Sequence, residues 1–441
     1  MSGFQVGTAT RDITPAYPIW AHGYSGRSDK SHGVREPLSL GVLALKSGHE
    51  TVLFITLDMI GVRVDVCDRL YEVLRRETGL GFPNVMISGS HTHFAPALHR
   101  TSFSSPEIGT VDPDPDFVAD VEEKLVHAAH EALRSARPCQ LETARMRVPQ
   151  TLFNRRTRIA DGTVRNCLLY PEDSTPYEFL PVDDQLTVLR MVNDGGVQAV
   201  LVNLGCHPVT GCSPAEDNYR YSSDYPFYVR KEVAEAWRCP VFFTLGAAGD
   251  AVPINRGSDV RERLGAVLGN SVVLAERTFR QDPVQALRTA VVEVQAETII
   301  KTNLATVKAE YEAAKQTALA LNDTPNSPEA KAARQAYDRT MMACGRSRLY
   351  PTNTFTVRIQ IVHVGETVFV ALPFEVLSEI SLAMKERVPN SVLVSCAGGY
   401  QGYLPLAHEY DRGGYEASEG STHFKPGTAD RILNAILEHL S

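Results

Sequence analysis

The strongest constraint in this chain is a recurring order of segments: a short apolar run rich in β-formers, a polar or glycine-rich turn, and in several cases an amphipathic helix. Residues 52–57, 84–88, 197–204, 241–245, 368–372 and 391–396 read as buried strands, and residues 117–135, 225–237, 259–279, 375–386 and 428–439 as helices. After the first of these strands, Val66, Leu70, Val73 and Leu74 fall on one helical face. The order predicts an α/β fold, and we expect a single large domain over residues 1–441 with a mixed β-sheet core flanked by helices. No internal repeat is visible in the sequence. Residues 302–346 stand apart, rich in Ala, Lys, Glu and Gln. Leu304, Val307, Tyr311, Ala314 and Leu321 recur there at helical spacing, a break comes at 322–328, and Ala333, Ala336, Thr340 and Met341 continue a second face. This pattern predicts an inserted helical hairpin that serves as a packing element or a lid.

Composition removes several function classes. The 441 residues carry 44 basic and 52 acidic side chains, a formal charge of −8, so the chain lacks the basic surface that a phosphate backbone requires, and no nucleic-acid partner is expected. No segment approaches the roughly 20 consecutive apolar residues that span a bilayer, and residues 1–7 show neither a basic nor an apolar leader segment, so the expectation is a cytoplasmic protein without stable membrane insertion. The eight cysteines, Cys67, Cys139, Cys167, Cys206, Cys212, Cys239, Cys344 and Cys396, form no CxxC pair. Thiolate knuckles and a disulfide framework are therefore not expected, and most of these thiols should be buried as small apolar groups. The expected partner is a small-molecule substrate, with assembly into a homo-oligomer left open.

The chemistry lies in the residues just past each apolar run. Asp58 comes after 52–57, His91 and His93 after 84–88, His207 after 197–204, Asp250 after 241–245, Glu375 after 368–372, and Tyr400 and Tyr403 after 391–396. Loops at the carboxyl ends of strands project groups from a rigid base, so distant segments can deliver these side chains to one place. Imidazoles, carboxylates and phenols without thiolate form a nitrogen and oxygen set suited to a catalytic Zn²⁺ or another divalent ion. In Ser90-His91-Thr92-His93 the two imidazoles are two residues apart and point the same way in extended backbone, so either both bind one metal or one binds and the other handles protons. An HxH alone specifies little. Its occurrence with Cys206-His207-Pro208 and Pro373-Phe374-Glu375, all at strand ends, points to a multi-ligand site. Asp224 is read as a helix cap, Asp12 as the pin of a turn, and Arg155 as a group that steadies an oxyanion or carboxylate unless it is simply solvated. His22, His32, His99 and His423 have no matching context. The run 246–250 is glycine-rich but lacks the lysine of a phosphate loop.

Together these residues resemble the neutral ceramidase family, in its amino-terminal catalytic domain. The resemblance rests on Val6-Gly7, Asp12-Ile13-Thr14-Pro15, Gly23-Tyr24, Pro37-Leu38, His91-Thr92-His93, Asn154-Arg155, Cys206-His207-Pro208, Gly249-Asp250, the run 372–375, Gly402-Tyr403, Tyr415-Glu416 and Ser421-Thr422, in that order along the chain. It implies one Zn²⁺ held by His91, His207, Glu375 and Tyr403, with His93, Arg155, Tyr415 and Asp250 as active-site groups. The step of twelve residues from Tyr403 to Tyr415 favours Tyr403 over Tyr400 under the family pattern. Two departures matter. Family members carry a nucleophilic serine just after the Gly-Asp pair, where this chain has Val252, and the larger members continue into a carboxyl-terminal β-sandwich that is not expected here.

The resemblance therefore implies a zinc-dependent hydrolase that cleaves an amide by attack of metal-bound water, with an ester or lactone as further candidates. Zinc lowers the pKa of bound water from 15.7 toward about 7, which removes the need for a side-chain nucleophile. His93 would relay the proton, and Arg155 or Tyr415 would stabilise the oxyanion. The expected substrate is smaller and more soluble than ceramide. Two other readings stay open: a metal-dependent lyase or isomerase acting on a sugar-like molecule, and a relative that binds a ligand without catalysis.

Overall fold

The computed structural model describes residues 3–211, 216–257 and 259–440. Cys212 lies outside the described residues; the other seven cysteines are free, and all but the half-buried Cys139 are buried.

Each of three mixed sheets is built the same way. The first contains β1 (Gln5–Asp12), β2 (Ser39–Ser47) and β3 (Glu50–Leu57), all antiparallel; the chain then crosses over through α1 (Val64–Thr78) to β4 (Val85–Gly89), which lies parallel to β3. Helix α2 (Pro115–Ser135) packs on this sheet against β1 and β2. The second sheet takes β5 (Gln140–Arg147), sheds the short β6 (Leu152–Asn154), and continues with β7 (Gln185–Asn193) and β8 (Gly196–Leu204). Helix α3 (Tyr225–Trp237) then leads to β9 (Val241–Leu245), parallel to β8. After β10 (Ala251–Pro253), which pairs with β6, and α4 (Val260–Leu274), the third sheet begins at β11 (Arg288–Glu297). The hairpin of α5 (Leu304–Ala320) and α6 (Pro328–Leu349) is inserted before β12 (Thr354–Val364) and β13 (Thr367–Ala371). The two-residue β14 (Glu375–Val376) and α7 (Ser378–Arg387) precede β15 (Ser391–Val394), parallel to β13. The short β16 (Tyr403–Leu404) and the terminal α8 (Thr428–Leu440) come last.

Thus β2-β3-α1-β4, β7-β8-α3-β9 and β12-β13-α7-β15 share one topology, an antiparallel pair followed by a helical crossover to a parallel strand. The sequence shows no repeat because the units share strand order and not residues. Leu43, Phe54, Met86, Leu201, Phe242 and Phe369, drawn from all three sheets, form one buried cluster. Polar ties join the strand ends as well. Ser395 N–H donates to Leu245 O at 2.8 Å, Gly89 N–H to Cys396 O at 3.2 Å, and the Asn203 amide to Leu393 O at 3.1 Å. The carboxyl ends of β4, β9 and β15 are therefore held side by side.

The helix of residues 225–237 has the expected bounds, and three expected bounds are corrected. Glu375 does not open a helix: it pairs in parallel with Tyr403, its N–H donates to Gly402 O at 2.9 Å, and α7 begins at Ser378. The physical reason is Asp250, whose Oδ1 accepts both the Ser378 N–H at 2.8 Å and its Oγ–H at 2.7 Å, capping the helix from a distant loop. Helix α4 passes into a 3₁₀ turn, Ala275–Thr278, so the stretch 259–279 is not one α-helix. Pro328 belongs to α6 and not to the break, since Ser327 caps Ala330 N and proline suits a first helical turn.

Candidate metal centre and its cleft

The parallel strands supply the site. Two residues past β4, His91 adopts a positive φ of 67°, a conformation that non-glycine residues rarely hold and that turns its ring inward from the strand end. Its Nδ1 donates to Ile60 O at 2.5 Å. Three residues past β8, His207 donates from Nδ1 to Ala248 O at 3.0 Å. A carbonyl only accepts, so both rings carry a proton on Nδ1 and, when neutral, present a bare lone pair at Nε2. Yet these two Nε2 atoms stand 3.0 Å apart, His93 Nε2 lies 3.1 Å from that of His207, and Glu375 Oε2 lies 3.1 Å from His91 Nε2 and 3.8 Å from His207 Nε2. The His91 and His207 lone pairs and the Glu375 carboxylate, crowded this closely, repel one another unless positive charge sits among them.

That demand also appears in the titration behaviour. Burial disfavours a charged His91, but the Glu375 carboxylate and the Cys396 thiol outweigh it and hold His91 well above the ordinary imidazole range. Burial and the neighbouring His91 push His207 and His93 well below that range. Glu375 is held below the usual carboxylate range by His91 and by hydrogen bonds against its own burial, and Tyr400 O–H donates to its Oε1 at 2.7 Å. A proton on His91 meets the demand in part. A divalent ion among His91, His207 and Glu375 would meet it in full, and the donor set, neutral imidazoles fixed by backbone carbonyls plus a carboxylate, suits zinc. His93 belongs to the same histidine cluster.

Tyr403 hydrogen-bonds to Glu375 and receives Arg155 Nη2–H on its oxygen at 2.9 Å. Burial holds its phenol well above the usual range, against the pull of Arg155. Arg155 Nε donates to Glu416 Oε1 at 2.6 Å, and the adjacent Arg156 reaches Glu416 Oε2 at 2.8 Å and pairs with Glu409. The Tyr415 ring meets Tyr403 edge-on at 5.5 Å and remains 55% exposed, so it stands at the mouth. Asp250 is placed differently. Its Oδ1 is taken by Ser378 and its Oδ2 by the Asn154 amide at 2.8 Å, and its backbone carbonyl accepts Arg155 N–H at 2.8 Å. It secures the loop that carries Arg155, and these hydrogen bonds go to Ser378, Asn154 and Arg155 and not to the histidines.

Two glycines permit the approach of these elements. A Cβ on Gly249 would stand 2.8 Å from Glu375 O, and one on Gly23, whose φ is +111°, would stand 2.6 Å from the His93 side chain.

A cleft of about 790 Å³ opens over the cluster, lined by His91, His93, Glu375, Tyr400, Tyr403 and Tyr415 on one side, while Tyr311 and Met341 come from the hairpin. The inserted hairpin is thus one wall of the cleft. Val252 is absent from the lining: it is fully buried opposite Phe153 in an apolar cluster with Cys167 and Val209. The family's serine position is here both inert and enclosed. Sequence reasoning missed Glu416 as the partner of two arginines, Tyr400 as the partner of Glu375, and His22 and His99 in the cleft lining. The one available signal was the neighbouring pair Arg155-Arg156, which needs a buried acid somewhere in the fold.

Comparison with known proteins gives a consistent result. The sequence matches the family described as neutral/alkaline non-lysosomal ceramidase, N-terminal, over residues 4–231. The crystal structure of neutral ceramidase from Pseudomonas aeruginosa superposes with a TM-score of 0.70 at 16% identity, covering 99% of this chain and 73% of that one. A ceramidase complexed with C2 superposes with a TM-score of 0.70 at 14% identity, over 99% of this chain and 75% of that one. At such identities the likeness establishes the fold alone. No curated protein matches the chain by sequence.

Proposed function

The chain belongs to the neutral/alkaline non-lysosomal ceramidase family, hydrolases that act on an amide bond, and we propose that it is a metal-dependent amidohydrolase working without a side-chain nucleophile. The observation that carries this reading is the convergence of His91 Nε2, His207 Nε2 and Glu375 Oε2. His91, His207, Glu375 and Tyr403 would hold a zinc ion. When bound, the ion supplies Lewis acidity that polarises the acyl carbonyl and brings the pKa of water toward about 7.

The chain's own residues do the rest. His93 presents Nε2 beside His207 and can take a proton from the attacking water and return it to the leaving nitrogen. Arg155 is already committed to Tyr403 and Glu416, so it sets the orientation of Tyr403 and keeps positive charge beside the developing oxyanion. Tyr415 closes the mouth over the reacting group. Asp250 is a positioning residue that ties the Arg155 segment to the start of α7. The whole chain acts as one catalytic domain with the hairpin as a cleft wall. The substrate is smaller and more soluble than ceramide, a reading supported by the charge of Arg63, Arg100, Arg346 and Arg348 in the cleft lining.

Purified, zinc-loaded protein offered a panel of N-acyl amines, esters and sugar-derived compounds tests this. Amide cleavage is expected, with no acyl transfer to an added amine, because no acyl-enzyme forms. Transacylation would reveal a side-chain nucleophile, and elimination or isomerisation would replace hydrolysis as the reading.

A further inference from the structure

The sign of the cleft opposes that of the molecule. The chain carries a net −8, yet the cleft is lined by four arginines, Arg63, Arg100, Arg346 and Arg348, against two carboxylates, Asp65 and Glu375. Glu375 is committed to the histidines. Arg63 pairs with Asp65 at 3.0 Å and Arg100 with Asp112 at 2.6 Å, but both acids are largely exposed, and exposed pairs are weak enough for another anion to displace. Arg346 donates to two backbone carbonyls, Glu419 O at 2.5 Å and Gly420 O at 3.4 Å, neither of which carries a full charge to offset its own. Exposed Arg348, near the end of α6, makes no ion pair within 4 Å among the described residues, but its charge acts on the same exposed Asp112 carboxylate that Arg100 holds, so a ligand carboxylate would take the place of Asp112 between the two. Apolar side chains, Ile60, Leu98, Met341 and Leu349, line the same cleft.

A cleft lined by apolar side chains and guanidinium groups matches an amphiphile that carries an anion. We infer that the substrate is an anionic N-acyl amide whose carboxylate, several bonds away from the scissile amide, is received by Arg348 and Arg100 while its apolar portion packs on Ile60, Leu98, Met341 and Leu349. Guanidinium groups suit a planar carboxylate through paired N–H donors, and a cleft focuses such a field. The inference rests on the amidohydrolase reading for the position of the scissile bond, and its test needs no turnover.

Three matched probes serve, each a ketomethylene analogue in which CH₂ replaces the scissile NH: a terminal carboxylate, its methyl ester, and the corresponding phosphonate. Calorimetric titration of the full metal-loaded chain should show the carboxylate binding roughly tenfold or more tightly than the ester, with the ratio shrinking as salt rises. A phosphonate preferred over the carboxylate would overturn the carboxylate assignment in favour of a phosphorylated substrate. Arg348→Gln and Arg100→Gln should each lower the carboxylate-to-ester ratio, and Arg348→Glu should bring it to one or below. A wild-type ratio near one, or a high ratio indifferent to all three substitutions, overturns the inference. Amide cleavage measured separately reports on the underlying reaction, so the two readings fail independently.

Discussion

Arg156 is fully enclosed, and its charge is matched by Glu409 and Glu416, which are equally buried. Removing one member of such a group strands a charge in the interior, and Arg156→Ala should cost about 3–5 kcal/mol of folding free energy by urea denaturation. A loss below about 1 kcal/mol would mean that water reaches these carboxylates. The Glu375 carboxylate belongs to a different class. Glu375→Gln keeps the shape but removes the charge facing two lone pairs, so zinc affinity should fall by more than the roughly 10–100-fold typical of outer-shell changes, read by competition with a chelator. His423 provides a pH signal away from the centre. Burial pushes its imidazole down to about 3, and it meets the Tyr350 hydroxyl at 2.8 Å. The unfolded chain takes up this proton near pH 6.5 and the folded chain does not. Its contribution to stability is therefore complete above about 6.5 and is lost as pH falls toward 3, at about 1.4 kcal/mol per pH unit. His423→Gln should remove that slope from stability measured between about pH 6 and 4, and an unchanged slope would show the imidazole to be solvated.

Among elements, β14 and β16 matter beyond their length, because their parallel pairing sets Glu375 beside Tyr403. Gly249 packs against that pair, its N–H donating to Val376 O at 2.8 Å. Gly249→Ala places a methyl 2.8 Å from Glu375 O and 3.0 Å from Val376 O, and both are backbone atoms that cannot turn aside. We expect a stability loss of about 1–3 kcal/mol with weakened zinc binding, measured on the same preparation. Full retention of both would show that β14 is free to shift. The same region limits what sequence alone can reveal. Helix α3 was legible to its bounds because Asp224 caps it and its apolar spacing is uninterrupted. The beginning of α7 was not, because its cap is the carboxylate of Asp250, 128 residues away, and no local pattern announces such a partner.

At the scale of the molecule, three mixed sheets of one topology place the ends of their parallel strands together, and this arrangement makes a site from residues as far apart as His91 and Glu375. The sequence made the α/β order, the hairpin insertion and the histidines at strand ends legible, since each is a local pattern. It did not show that the strands divide among three such sheets, because strand pairing depends on contacts between segments with unrelated residues. It also did not show that Val252 is buried in an apolar cluster with Phe153 and Val209. Among the described residues, no helix is long and apolar enough to cross a membrane. The central claim is that one divalent ion binds where the three strand ends meet, and an anomalous difference map recorded at the zinc edge from crystals of zinc-loaded protein tests it most directly. The account predicts a single strong peak bounded by His91 Nε2, His207 Nε2 and the Glu375 carboxylate; an empty cluster, or a peak held by other side chains, would contradict it.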